Sequence, residues 1–427
     1  MLTRTIAPAQ TVKPTNVRWI VLAGICALYF VTYLDRVNIS LAAPSITAEL
    51  RLSPTELGLI FSAFSVAYAA LQIPGGWVAD RIGSRKALSG MGLLWALFTA
   101  LTALPAGLTS MLLVRLGVGV AEAGAFPAAT RAFTTWIPSN RRGFAQGLPH
   151  SFARLGGALA PPIVIGLILA FGWRMAFVGL GAASLVWVTV WVWFYRDRPR
   201  DHWLTNVAEV ELLDAQAPAL DEALKPGRTA WHALIARMWP VTLADFCYGW
   251  SLWVFLTWLP SYLSTDLGVD LNQLALFAAL PLAAGVVGDT AGGLLSDALW
   301  RRGRTRLARS GQIAIGLVLS LVFVLPAVFA SSPIVTVWLL SASFLCLEMT
   351  NAPLWASAMD ITRQHVGEGS GLMNTGFGVA GIISPVVFGA LIQATGNWTL
   401  PFVLSAALLL VGAGLALRID AHIGIDG

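Results

Sequence analysis

The strongest constraint on how this chain folds is a series of long apolar runs that recur along almost the whole sequence. An α-helix needs about 20 mostly apolar residues to cross the hydrocarbon core of a bilayer. Backbone polar groups find no water there, so a crossing segment must satisfy its hydrogen bonds internally, as a helix does. We therefore predict an all-α membrane protein with twelve spans, at residues 18–44, 55–79, 87–106, 109–135, 143–171, 173–195, 235–264, 270–299, 308–330, 333–359, 368–394 and 397–418.

The composition agrees with a membrane protein. Hydrophobic residues make up 57% of the 427 residues and charged residues only 11%, whereas about a quarter of an average soluble protein is charged. So few charges cannot cover several soluble cores. This excludes a multidomain soluble protein, a disordered chain and a nucleic-acid-binding protein, despite the net charge of +5. The 18 tryptophans suit a protein with two membrane interfaces, where amphipathic rings settle.

The placement of basic residues predicts the topology. With the N-terminus inside the cell, Arg and Lys collect in the inner segments, and the outer loops hold little beyond Arg51 and Arg174. Cytoplasmic loops of membrane proteins carry this excess of positive charge, so we expect both termini in the cytoplasm. The predicted units are a cytoplasmic tail (1–17), a six-helix half (18–195), a cytoplasmic linker (196–230), a second six-helix half (231–418) and a second tail (419–427).

A short motif recurs at the matching position of each predicted half. Gly76-x-x-x-Asp80 ends the second span and Gly293-x-x-x-Asp297 ends the eighth, and each motif runs into a basic turn. Glycine lets two helices approach closely, and an Asp at a helix end can pair with a neighbouring Arg. We therefore interpret the motif as a conformational latch, which in the first half also includes Arg81, Gly83 and Arg85. Repeated halves are typical of transporters that rock around a site near the bilayer midplane.

These features together resemble the major facilitator superfamily. Within it, four further motifs resemble the anion:cation symporter family, which includes bacterial sugar-acid/proton symporters, sialin and the vesicular glutamate transporters. The motifs are Tyr33-Leu-Asp35-Arg36-Val-Asn38, Gln72-Ile-Pro-Gly-Gly-Trp77, Arg115-x6-Glu122-Ala-x2-Phe126-Pro127 and Phe255-Leu-Thr-Trp258-Leu-Pro-x-Tyr262-Leu. The resemblance implies alternating access by two six-helix halves.

Ionisable side chains inside spans are costly and therefore point to function. Neighbouring residues on a helix point about 100° apart, so Asp35 and Arg36 cannot form a simple pair within their helix. Arg115 and Glu122 lie seven residues apart and share a helix face. A buried carboxylate without a counter-charge favours its neutral form. We therefore predict Asp35 and Glu122 as proton carriers, the role that the resemblance also implies, although a permanent pair with an arginine is the alternative for each.

Several side chains are candidates for contacting substrate. Arg36 is the first choice, because its planar guanidinium can bind a carboxylate through two hydrogen bonds. Arg115 matches an arginine of the resembling family, or else neutralises a buried acid. The resemblance implies substrate contacts at Tyr68 and Asn374. Two aromatic residues of later spans contact substrate or simply pack in the core, namely Tyr248 and Trp355.

Three charged residues depart from the resembling sugar-acid symporters. The glutamine that the family has in the fifth span falls at Ala153, and Arg154 lies beside it. Uncharged family positions carry Asp245 and Glu348, and Asp289 stands eight residues before Asp297. The additional Arg154 either binds a second anionic group of the substrate or compensates an additional acid. Asp289 is interpreted as part of a conformational latch rather than as a ligand. His150, one turn before Arg154, is a local hydrogen-bonding group or a pH sensor.

Motifs of enzymes and of ATP-driven pumps are missing from the sequence. It has no G-x-x-x-x-G-K-[ST], H-E-x-x-H or G-x-S-x-G motif, and Cys26, Cys247 and Cys346 lie in apolar runs without metal-ligand spacing. We expect no enzyme activity, no cofactor and no metal, with protons as the coupling ion and the lipid bilayer as the surroundings of a monomer. Nucleic acid is not an expected partner.

The leading functional hypothesis is a proton-coupled symporter of the bacterial inner membrane that imports a small organic anion. Sugar acids (aldonate, uronate or aldarate) are the favoured substrates, and an aromatic acid or a dicarboxylate is the alternative. A second hypothesis is a proton-antiporting exporter of drugs or metabolites, whose cavity would be apolar and poor in arginine. A third is a membrane receptor built on the same fold.

Overall fold

The computed structural model describes residues 13–138, 142–214, 231–362 and 366–420, apart from the side chains of residues 73, 80, 134, 142–144, 146, 366–368 and 370. Parts of the predicted tails and linker (1–12, 215–230 and 421–427) lie outside the described residues. The described chain is helical and contains no β-strand. Its helices are α1 (Val17–Leu50), α2 (Pro54–Ile82), α3 (Ser84–Leu101), α4 (Leu108–Glu122), α5 (Ala125–Trp136), α6 (Arg142–Phe194), α7 (Val207–Asp214), α8 (Trp231–Ser261), α9 (Leu271–Arg301), α10 (Gln312–Phe329), α11 (Pro333–Glu348), α12 (Asn351–Thr362), α13 (Val366–Thr395) and α14 (Thr399–Ala416).

The helices fall where the apolar runs predict them, with three differences in detail. The predicted fourth span is interrupted between Glu122 and Ala125, and the tenth between Glu348 and Asn351. The fifth and sixth spans are joined in α6, which is broken at Gly172, where φ is 80°. Nine segments of the described residues are long and apolar enough to cross a membrane. The count of twelve spans and the cytoplasmic termini stay predictions.

The internal repeat predicted from the sequence is visible in the helix starts. Ser53 caps α2, since its side chain accepts from the Glu56 amide, and the Glu56 carboxylate accepts from the Ser53 amide in return. Asp270 caps α9 in the same way through the Gln273 amide. These helices start 217 residues apart (271 − 54), which is also the separation of the two G-x-x-x-D motifs (297 − 80).

Each half is packed mainly through long helices of its own. In the first half α6 packs against α1 and α3, and α2 packs against α4. In the second half α8 packs against α13, and α11 lies between α9 and α10. The halves meet where α13 contacts α2, α9 contacts α6 and α8 contacts α1. Side chains on these facing helices therefore surround the region between the halves.

The halves touch closely at the start of α2 and the end of α13. A Cβ atom at Gly58 would lie 2.4 Å from the Pro385 carbonyl oxygen, and one at Gly389 would lie 2.2 Å from the Pro54 carbonyl oxygen. The Ser62 hydroxyl also donates to the Ile382 carbonyl at 2.7 Å. Only glycine fits at such an approach, so these two positions close this end of the molecule.

The described part of the linker is not merely a solvated segment. Helix α7 carries Glu209, which is fully buried and accepts hydrogen bonds from the backbone amide and the guanidinium of Arg18. The Thr15 hydroxyl also donates to Glu209, and the Asn206 side chain donates to the Lys13 carbonyl. These contacts hold the linker against the start of α1.

Candidate functional site

Asp35 occupies a buried polar site between α1, α3 and α6. It is only 3% exposed. Its carboxylate accepts from the Asn38 amide at 2.9 Å and from the hydroxyls of Thr99 and Ser184 at 3.4 and 3.5 Å. Among the described residues no arginine or lysine forms an ion pair with Asp35. Its ionised form therefore has hydrogen bonds but no directly paired counter-charge, and Arg115 is the positive charge that acts on it without such a pair. Binding a proton therefore removes much of the cost of burying the Asp35 charge.

Arg36 points to a different side of α1 from Asp35, as the helix geometry predicts. Its Nε lies 3.2 Å from Glu122 Oε1. Its Nη2 is buried and has no hydrogen-bond partner in the described structure. Four aromatic rings surround the guanidinium, with centroids 4.6 to 5.5 Å from its central carbon: Tyr33, Phe64, Tyr68 and Phe126. The guanidinium thus pairs with one carboxylate and is hydrogen-bonded with Tyr68, and its Nη2 forms a free edge in a desolvated site.

Close packing of α4 on α2 positions Glu122. A Cβ atom at Gly119 would lie 2.4 Å from the Phe64 carbonyl oxygen, and one at Gly75 would lie 2.4 Å from the Gly124 Cα. These glycines bring the backbones of the two helices into contact on either side of Glu122. The carboxylate consequently faces α1 and meets Arg36, while the chain resumes as α5 at Ala125.

Arg115 is buried one aromatic ring away from Arg36. It is 3% exposed, and its guanidinium carbon lies 5.2 Å from the Phe64 centroid, which Arg36 also approaches at 5.5 Å. Its Nε has no hydrogen-bond partner in the described structure. Arg36 forms the ion pair with Glu122, while Arg115 acts on Glu122 and Asp35 without an ion pair among the described residues. That Arg115 neutralises a buried acid stays a prediction. Two positive charges therefore share this part of the molecule.

A second charged cluster joins the two halves. Arg154 of α6 binds Glu348 of α11 through two nitrogens, at 3.2 and 3.4 Å, and its Nε lies 3.6 Å from Asp289 of α9. The Tyr248 hydroxyl of α8 also donates to Glu348 at 3.3 Å, and the Asn351 amide donates to Asp289 at 2.9 Å. Among the ion pairs of the described residues, those of Arg154 connect one half to the other.

The other predicted site residues make none of the ion pairs of these clusters among the described residues, although Asp245 acts on Tyr248. Asp245 of α8 is buried, and its Oδ2 has no hydrogen-bond partner in the described structure. Asn374 of α13 is partly exposed, and Trp355 of α12 is 38% exposed. The structure thus brings together Asp35, Arg36, Tyr68, Arg115 and Glu122 in the first half and groups Arg154 with Tyr248, Asp289 and Glu348. The roles assigned to all of them stay predictions.

The predicted latch of the first half contacts a residue that the sequence did not single out. Gly83 has φ of 85°, and a Cβ atom there would lie 2.7 Å from an Asp197 carboxylate oxygen. The Asp197 carboxylate accepts from the Arg85 amide at 2.9 Å. Arg81 lies over the Trp77 ring at 3.9 Å, Gly76 approaches Pro127, and the side chain of Asp80 lies outside the described residues. The motif therefore ties the α2–α3 turn to the end of α6.

The matching motif of the second half differs. Asp297 is exposed, and a Cβ atom at Gly293 would make only an ordinary contact with Ala352 at 3.6 Å. The ionic contact at this end is made by Arg309, whose Nε lies 2.7 Å from Asp360 and whose Nη1 donates to the Ser296 hydroxyl. Arg309 and Asp360 lie 51 residues apart, near the ends of different helices, and no sequence pattern indicates that two such residues pair. The sequence therefore does not predict this contact.

Comparison with known proteins identifies the family. The model of the major facilitator superfamily matches residues 25–375. The chain belongs to the major facilitator superfamily. The fold agrees: a bacterial homologue of the human lysosomal transporter Spinster, solved in an inward-facing and unoccupied conformation, superimposes with a TM-score of 0.78 at 18% identity, over 95% of this chain and 97% of that one.

Two curated superfamily members are similar over nearly their full lengths. The probable sulfoacetate transporter SauU of Cupriavidus necator is 50% identical, over 96% of this chain and 95% of its own. The hexuronate transporter of Bacillus subtilis is 30% identical, over 91% of each chain. The relatives are transporters and not enzymes, and the compounds for which they are named are small organic acids. The resemblance to sugar-acid transporters stated from the motifs is therefore confirmed.

Proposed function

We propose that this protein is a proton-coupled symporter that imports a small organic anion by alternating access of its two halves. The observation that carries the proposal is the arrangement around Arg36. This buried guanidinium has a single carboxylate partner, Glu122, and an unpartnered Nη2. A substrate carboxylate or sulfonate that docks on the free edge competes with Glu122 for the same positive charge. A proton on Glu122 removes that competition, so anion and proton bind together.

The balance of buried charge supports proton coupling. Away from the span ends, the predicted spans hold five acids (Asp35, Glu122, Asp245, Asp289 and Glu348) and only three arginines (Arg36, Arg115 and Arg154). With every group ionised, an incoming anion would add to an existing excess of negative charge in a medium where charge is costly. Protons on some of these acids restore neutrality.

Proton coupling also supplies the free energy that import of an anion requires. An anion that enters a negative-inside cell is opposed by about 2.3 kcal/mol per charge for each 100 mV of membrane potential. A co-transported proton cancels one such charge and adds the pH gradient as a driving force. A proton-antiporting exporter, the competing hypothesis, has no need of an anion site with a free guanidinium edge.

For the substrate, the relatives favour a short acidic compound. The 50% identical relative is named for sulfoacetate and the 30% identical one for hexuronate. Both compounds present an acidic group to a guanidinium, so Arg36 serves either. We place sulfoacetate first among the compounds to test, on account of the higher identity, and sugar acids second.

We further propose twelve spans, cytoplasmic termini and a bacterial inner-membrane location. The basic residues of alternate segments support this topology. In this topology, the start of α2 and the end of α13 lie on the extracytoplasmic side of the membrane. The close approach at Gly58 and Gly389 then makes the present arrangement an outward-closed one.

Substituting Gly58 by Leu tests this arrangement. A side chain there collides with the Pro385 backbone, so α2 and α13 must separate and the outward-open population must rise. Spin labels at positions 55 and 393, whose residues are hydrogen-bonded at 3.3 Å, should move apart in the variant. Gly166→Leu is the matched control, because no atom lies within 4 Å of a Cβ there. An unchanged label distance in Gly58→Leu would contradict the outward-closed interpretation.

Ligand-induced thermal stabilisation tests the proposed function on purified protein. Sulfoacetate, a hexuronate and an aldonate should raise the unfolding temperature, and more so at acidic pH, where the carboxylates that compete for Arg36 are protonated. Neutral sugars are the control. Stabilisation by apolar drugs with none by any organic acid would favour the exporter instead.

A further inference from the structure

The second half carries a counterpart of Glu122, namely Glu348. Glu122 is the last residue of α4, and Glu348 is the last residue of α11; each helix resumes three residues later, at Ala125 and Asn351. These are the interrupted fourth spans of the two predicted halves. Both glutamates are buried and both bind an arginine from another helix. The interruption thus places a buried carboxylate against a guanidinium twice in the molecule.

Tight helix packing holds Glu348 and Asp289 next to each other. A Cβ atom at Gly288 would lie 2.2 Å from the Leu345 carbonyl oxygen, and one at Gly285 would lie 3.2 Å from Glu348 Cγ. Helices α9 and α11 therefore present two carboxylates to one guanidinium, that of Arg154. With both acids ionised, this cluster is one negative charge in excess.

A series of ring contacts connects the Arg36–Glu122 cluster to the helix turn that carries Arg154. Phe126 lies 5.2 Å from the Arg36 guanidinium, Tyr29 lies 4.4 Å from Phe126, and His150 lies 5.3 Å from Tyr29. His150 precedes Arg154 by one helical turn. The Arg154 side chain is 19% exposed, whereas that of Glu348 is fully buried, so Arg154 is the accessible member of its pair.

We infer that Arg154 is a second anion-binding group, which exchanges Glu348 for a second acidic group of the substrate when Glu348 takes up a proton. The inference rests on the proposed function and specifies its substrate class, short acids with two anionic groups. The exchange balances: Glu348 gains one proton from solution, its two hydrogen bonds to Arg154 break, and the substrate's second carboxylate or sulfonate replaces them.

The exchange also connects substrate to the movement of the halves. Arg154 belongs to the first half and Glu348 and Asp289 to the second, so their ion pairs hold the halves in one relative position. A substrate that takes over Arg154 releases this connection. The groups that act on Glu348 are Arg154 of α6, Asp289 of α9 and Tyr248 of α8, and His150 of α6 acts on Arg154 and Asp289. Of these, Arg154 makes the bidentate contact that the exchange breaks.

Matched pairs of acids test the inference through a ratio of affinities. The pairs are an aldarate against the aldonate of the same carbon skeleton, and sulfoacetate against acetate. Between about pH 7.5 and 5.5 these acids stay ionised, because free carboxyl groups titrate near pH 4. In the wild-type protein the dianion-to-monoanion ratio should rise as pH falls, by up to about tenfold per pH unit for a step linked to one proton. Proton uptake at Asp35 or Glu122 acts on both acids and cancels in the ratio.

Two variants separate the parts of the exchange. Glu348→Gln imitates the protonated state, so the ratio should be high at both pH values. The double variant Arg154→Gln/Glu348→Gln removes the guanidinium without leaving Glu348 as an unpaired buried charge. Its dianion-to-monoanion affinity ratio should fall about tenfold or more below that of Glu348→Gln. If the double variant does not purify, Arg154→Lys, which keeps the charge but loses the fork, should lower the ratio at acidic pH.

The outcomes distinguish this inference from the proposed function. A ratio that is the same in the double variant as in Glu348→Gln overturns the role of Arg154. A ratio in Glu348→Gln that still follows pH as in the wild type overturns the role of Glu348. In both cases acids still bind, so the proposed function stands. Absence of binding by every acid, in wild-type protein that is monodisperse and folded, overturns both.

Discussion

Replacing Asp35 by Asn is expected to abolish uphill uptake while leaving exchange of substrate across the membrane intact. Asn keeps an oxygen that can accept from Asn38, and its amide nitrogen can donate to the Thr99 or Ser184 hydroxyl, but it cannot carry a proton. Without a proton, an imposed potential of 100 mV opposes each anionic charge by about 2.3 kcal/mol, and accumulation should fall about fiftyfold. Counterflow needs no net proton movement and should persist.

The measurement is paired accumulation and counterflow of labelled substrate in proteoliposomes. Asp201→Asn is the matched control, because Asp201 is exposed in the linker and its loss should alter neither activity. Accumulation that survives in Asp35→Asn at the wild-type level would remove Asp35 from the coupling mechanism. Loss of both activities would assign Asp35 to the binding or stability of the site rather than to coupling.

Replacing Arg36 by Lys should weaken substrate binding about tenfold to a hundredfold without unfolding the protein. Lys retains the positive charge that compensates the buried Glu122, so the variant leaves no isolated charge. It loses the planar guanidinium, whose Nε contacts Glu122 and whose Nη2 is the proposed substrate contact. Each charge-assisted hydrogen bond of this kind contributes about 1.5 to 3 kcal/mol, which sets the expected range.

Affinity for sulfoacetate and for a hexuronate, measured by titration on purified protein, checks this expectation. Arg174→Lys is the matched control: Arg174 also forms an ion pair, with Glu49 at 2.8 Å, but both side chains are substantially exposed. Exposed pairs contribute little, so the control should bind like the wild type. Equal affinities in Arg36→Lys and in Arg174→Lys would contradict a substrate contact at Arg36.

Much of the fold can be predicted from the sequence because few kinds of structure can span a membrane. The apolar runs predict helix positions, since only helices satisfy their backbone in lipid without partners, and α1, α2 and α9 begin within a few residues of the expected positions. The sequence also orients neighbouring side chains on a helix. It therefore separates Asp35 from Arg36, which the structure shows with different partners.

What sequence reasoning misses are pairings between distant segments. It could not choose between Arg36 and Arg115 as the partner of Glu122, because the choice depends on which face of α1 meets α4. It left the purpose of Arg154 open, since Glu348 and Asp289 lie in the other half and meet Arg154 only when the halves pack. Asp197, which binds the Arg85 amide, is an ordinary loop residue until the α2–α3 turn reaches it.

The central claim, that anion entry is driven by protons, is tested most directly by uptake into proteoliposomes containing the wild-type protein. With an acid-outside gradient, labelled sulfoacetate or hexuronate should accumulate above its external concentration, and a protonophore should abolish this accumulation. Accumulation that is independent of the pH gradient, or outward movement of substrate driven by inward proton flow, would contradict proton-driven anion entry.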